Sequence, residues 1–101
     1  MKIELKKPIT FEGEEIKEIN LDLDSLTGED LAQAEREYLA MGGPMTSLTL
    51  SISYCQSLAA RAAGVAVEAI KAMSAKDSSA IAMEVQVFLH DLEPQVPGRS
   101  A

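Results

Sequence analysis

Over the first twenty-three residues the chain alternates. Ile3 and Leu5, Ile9 and Phe11, then Ile19, Leu21 and Leu23 recur at period two between polar neighbours, the spacing that puts apolar side chains on one face of an extended strand. Gly13, within Glu12-Gly13-Glu14-Glu15, supplies a turn, so Ile9–Phe11 and Ile16–Leu21 are predicted to pair as a β-hairpin. The alternation slips by one near Lys17, where a bulge is expected, and Pro8, lacking an N–H, belongs at a strand start or edge.

Beyond Leu23 the period becomes helical. Thr27 with Asp30 three residues on has the form of a capping box, and Leu31, Ala34, Tyr38 and Met41 follow on one face until Gly42-Gly43-Pro44. A second start at Thr46 or Ser47 opens a run in which Leu48, Ile52, Cys55, Ala59 and Ala62 share a face, closed by Gly64. Val67 to Met73 is one or two helical turns. Ser74 with Asp77 repeats the capping box and launches a helix whose Ile81, Val85, Phe88 and Leu92 form the expected core stripe; Pro94 and Pro97 stop it. The pattern predicts an α+β fold: an N-terminal hairpin packed on a bundle of three to four helices. Residues 1–93 form the single domain and 94–101, rich in Pro, Gly and Ser, a flexible tail.

The helices carry apolar residues on a second side as well. At about 100° per residue, Ala80, Met83 and Val87 fall opposite the Ile81 stripe, and Leu50 and Tyr54 opposite Leu48. A short chain cannot bury both sides in its own core. Leu50, Tyr54, Ala80, Met83 and Val87 are therefore the candidate protein-binding residues, either as an interface between copies or as a groove for a foreign helix.

Composition narrows the function classes. A length of 101 residues fits one domain, and with only four aromatic residues the core must be aliphatic and Met-rich. The net charge of −7 opposes nucleic acid or an anionic membrane as partner, and residues 1–45 hold most of that negative charge. Cys55, the single cysteine, allows no intramolecular disulfide and reads as a small core hydrophobe in a reducing compartment. No run is apolar enough to span a bilayer and Met1-Lys2-Ile3-Glu4 does not open a signal peptide, so the expected location is the cytoplasm. His90 sits near a helix end, where the helix dipole favours a cation, with no base or orienting group nearby in sequence. Glu12, Glu14, Glu15 and Glu18 surround a turn at spacings that match no calcium loop. Neither a catalytic set nor a metal or cofactor site is expected, and the chain reads as a non-enzyme.

Two resemblances bear on function. Asp24-Ser25-Leu26 resembles the Asp-Ser-Leu of acyl carrier proteins, whose Ser bears phosphopantetheine, but Ser25 follows a strand-like alternation, and Thr27-Gly28 is the better helix start. The second is broader. The order "LKKPITFEGEEIKEINL", "LTGEDL" and "RAAGVAVEAIKAMSAKDSSAIAMEVQVFL" resembles the tail assembly chaperones of Mu-like and related contractile-tailed bacteriophages over most of residues 3–92. The pieces that carry it are a Pro-containing strand with a Gly turn, a Gly-containing step into the first helix, and Gly64, Ile70, Met73 and Asp77 before a hydrophobic helix ending in Phe88-Leu89. The chain departs from the family in having Asp24-Ser25-Leu26 where a Pro often precedes the first helix, and Gly42-Gly43-Pro44 as a joint.

The resemblance implies a protein that binds the long, helical tape measure protein and keeps it soluble in the host cytoplasm while the tail tube forms, without entering the mature virion. It also implies a longer frameshifted form that recruits tail tube subunits. A homo-oligomer is expected from the second apolar face. The competing readings are a small oligomeric structural or adaptor protein without a client and, third, a carrier protein modified at Ser25.

Overall fold

The alternating segment forms an antiparallel hairpin, β1 (Lys2–Phe11) and β2 (Glu14–Asn20), in a computed structural model that describes residues 1–40, 42 and 51–92. Glu12 (φ 51°) and Gly13 (φ 84°) both adopt positive φ between the strands, as a tight two-residue hairpin turn demands. The irregularity expected near Lys17 is there, but its extra residues lie in β1. Glu4 pairs with Glu18 and Ile9 with Ile16, so the four residues Leu5 to Pro8 stand against Lys17 alone. Pro8 thus falls where the ladder is already interrupted, and its missing N–H breaks no regular pairing.

Four α-helices follow among the described residues: α1 (Gly28–Ala40), α2 (Ile52–Ala63), α3 (Val67–Ala72) and α4 (Ala75–Leu92), with a 3₁₀ turn at Leu23–Ser25 before them. The α+β architecture expected from the patterning is the one found. The Thr27–Asp30 capping box forms in both directions: the Asp30 N–H donates to Thr27 Oγ1 (3.2 Å) and the Thr27 N–H to Asp30 Oδ2 (2.9 Å). Gly64 closes α2 in the left-handed conformation (φ 70°).

Helix α2 begins later than Thr46 or Ser47. Ser51 is its N-cap, accepting the Tyr54 N–H at 3.3 Å. Thr46, Ser47, Leu48, Met41, Gly43 and Pro44 lie outside the described residues, as do residues 93–101.

Helix α2 is central. It packs against α1, α3, α4 and β2, and Tyr54, Cys55, Leu58, Ala59, Ala60 and Ala62 are all buried, the alanines letting neighbouring helices come close. From α4 come Ile81, Ala82, Val85 and Leu89; from the hairpin and the 3₁₀ turn, Leu5, Ile19, Leu21 and Leu23. Two details of the expected core are corrected. Ile52, placed on the core face by its spacing from Cys55, is 50% exposed, where it lines a shallow cavity with the end of α3 and the start of α4. On α4 the buried row runs Ile81–Val85–Leu89, leaving Phe88 half-buried at its flank; the side chain of Leu92 lies outside the described residues.

Candidate functional site

The outer side of α4 carries apolar surface that the described residues leave exposed. Ser74 fixes the start of this helix, its Oγ accepting the Asp77 N–H (3.2 Å). The Asp77 carboxylate does not turn back to the Ser74 N–H as a full capping box would. Its Oδ1 and Oδ2 accept the N–H groups of Lys6 (2.9 Å) and Lys7 (3.0 Å), two residues of the interrupted stretch of β1, and Oδ2 also accepts the Ser74 hydroxyl (3.1 Å). These bonds hold the carboxyl below its ordinary range, the Lys6 N–H contributing most, although burial acts the other way. Ser74 thus caps α4, and the buried Asp77 carboxylate holds the capping hydroxyl and ties the helix to the hairpin.

With Ile81, Val85 and Leu89 turned inward, Ala80, Met83 and Val87 face outward. All three are exposed, Met83 at 60% and Val87 at 53%. The structure therefore brings together three of the five residues proposed for protein binding. Tyr54 is corrected: it is only 6% exposed and belongs to the core. Its ring meets Tyr38 of α1 edge-on, centroids 6.4 Å apart, and burial, reinforced by the charge of Glu35, pushes its phenol above the ordinary range. At Tyr54 the second apolar side of α2 is covered by the chain's own first helix. Leu50 lies outside the described residues. Ile52 is an exposed apolar side chain that its spacing concealed; its place in the first turn after the Ser51 cap, at a helix end with few neighbours, is the signal that could have marked it.

The groups weighed for chemistry lie on different elements. Cys55 is fully buried, and desolvation pushes its thiol up to about 11, against the weaker opposing effect of Gln86. His90 is exposed in the last turn of α4, as its position suggested. Ser25 lies in the 3₁₀ turn, its Oγ donating to the Asp22 carbonyl (2.7 Å), and does not open a full helix. Among the described residues there is no group of three or more His, Cys, Asp or Glu that could hold a metal ion. Among them, too, no helix is long and apolar enough to cross a membrane.

Arg61 was not singled out by the sequence reading. It bridges α2 to α1, with Nη1 3.2 Å from Asp30 Oδ1 and Nη2 3.1 Å from Glu37 Oε2.

Comparison with known families gives a match over most of the chain. The family model described as phage tail assembly chaperone proteins, E, or 41 or 14, matches residues 2–90, from the first residue of β1 into the last turn of α4. No curated protein and no solved structure matches the chain.

Proposed function

The chain belongs to the phage tail assembly chaperone family, and from that premise we propose that it binds the tape measure protein through the outer face of α4 and keeps that client soluble during tail assembly. The observation that carries this reading is the two-sidedness of α4. Its inner row is buried, while Ala80, Met83 and Val87 hold apolar surface that the described residues leave exposed. An unbranched Met beside a small Ala can repack against varied helical surfaces, as a holder of an extended helical client must. The net charge of −7 keeps such a surface dispersed. On this reading the protein is not an enzyme, acts in the host cytoplasm and is left out of the mature virion. It associates with itself when no client is present, and a longer frameshifted form would bring tail tube subunits to the same client.

The test replaces Met83 and Val87 with Glu. Because both side chains are solvated already, the urea midpoint should stay close to that of the parent chain, while co-purification of co-expressed tape measure protein fragments should be lost, since charges in an apolar contact must be desolvated without partners. Retained capture by a folded double variant would exclude this face as the client site.

A further inference from the structure

Beside Val87 the surface sinks into a cavity of about 250 Å³, between α4 and the 3₁₀ turn that follows the hairpin. Leu23, Val87 and Phe88 contribute apolar lining, and Asp22, Asp24 and Glu84 contribute three carboxylates. We propose that this cavity seats a basic, amphipathic helix of the client, an apolar side chain against Val87 and Phe88 and a Lys or Arg one turn away reaching the carboxylates. The proposal rests on the client-binding reading and specifies the class of segment bound.

Three observations favour that occupant. Among the described residues, Lys2, Lys17, Arg36 and Arg61 all form ion pairs, but with Glu18, Glu15, Glu29, Asp30 and Glu37; the three cavity carboxylates are in none of these pairs. The Met1 ammonium also lines the cavity but donates toward Asn20 Oδ1 (3.4 Å) and the Leu21 carbonyl (3.2 Å) on the strand side. The cavity therefore keeps an excess of negative charge beside apolar wall, the combination that suits a side chain with an aliphatic stem and a cationic head. A second copy whose twofold axis passed through this cavity would set the acidic rim against its own duplicate, a like-charge contact that disfavours a self-interface centred here. An acidic client segment meets the same repulsion.

The test uses the full chain and synthetic peptides tiling the tape measure protein of the same phage, with binding followed by fluorescence anisotropy. The carboxylates are neutralised together as Asp22→Asn, Asp24→Asn and Glu84→Gln. None of the three side chains makes a described hydrogen bond, so the fold should be retained, as circular dichroism will show. Peptides that bind should be net basic. The triple variant should bind them about tenfold more weakly at low salt, with the difference shrinking toward nothing at high salt as the charges are screened. Replacing the Lys and Arg of a bound peptide by Glu should abolish binding to the parent chain. Equal affinity of the parent chain and the triple variant, or binding of acidic peptides, would overturn the proposal while leaving client binding intact. Binding of no peptide at all would overturn both. A dimer of the parent chain that Val87→Glu dissociates, with peptide binding unchanged, would assign the cavity to a second copy and overturn it as well.

Discussion

Asp77 shows how much one side chain can determine. Its carboxylate accepts two backbone N–H groups and a hydroxyl while buried, so it stabilises the fold only in the ionised form. The folded-state value lies below the ordinary 3.8, so the unfolded chain binds the proton more readily. The contribution is therefore complete above the unfolded value and is lost as pH falls below about 4, through the lower folded value. Asp30, held down chiefly by the Thr27 N–H and hydroxyl, acts in the same direction. Asp77→Asn should be less stable than the parent at neutral pH, because an amide cannot accept both N–H bonds. Its urea midpoint should also fall less steeply with acid. An acid limb of unchanged slope in that variant would show that Asp77 does not couple the hairpin to α4.

At the scale of elements the local signals were legible and the lateral ones were not. The Thr27–Asp30 cap, the Gly64 terminus and the Gly13 turn each depend on residues a few positions apart, and each was readable in order. The turn makes a sharp prediction. Gly13 has φ 84° with open space where a Cβ would go, so Gly13→Ala should cost about 1–2 kcal/mol in backbone conformation alone. Glu12, also at positive φ, should be improved by Asn, by roughly 0.5 kcal/mol. Urea titration of the two variants checks both signs. Helix α2 was harder to read. A helix flanked on several sides has no single apolar stripe, so Tyr54 looked spare when it was core, and Ile52 looked like core when it was half exposed. Leu58→Ala, at a fully buried position, should accordingly destabilise by about 2–5 kcal/mol, and Ile52→Ala by under about 1 kcal/mol. Equal losses would mean that Ile52 is covered in solution. On α4 the outward face was readable because the helix is long and packed from one side, and so Met83 and Val87 were placed correctly.

For the whole molecule the question is which part lets go first. The hairpin is braced by α2, α3 and α4 and clamped by Asp77, whereas α1 leans mainly on α2. What holds α1 there is the Tyr38–Tyr54 contact, buried Ala34, and the two ion pairs from Arg61. Neither Arg61 pair was legible in the sequence, since the partners lie 31 and 24 residues away and only the packed helices bring them within reach. Ion pairs only partly withdrawn from water hold weakly, so α1 should be the least protected of the longer helices. Native-state hydrogen exchange should show the amides of α1 opening before those of α2 and α4. Arg61→Met, which keeps the aliphatic stem, should speed exchange in α1 a few-fold while leaving α4 nearly unchanged. If α1 and α4 instead exchange together in the parent chain, the molecule opens as one cooperative unit. If Arg61→Met accelerates both helices equally, Arg61 supports the core as a whole and not the docking of α1.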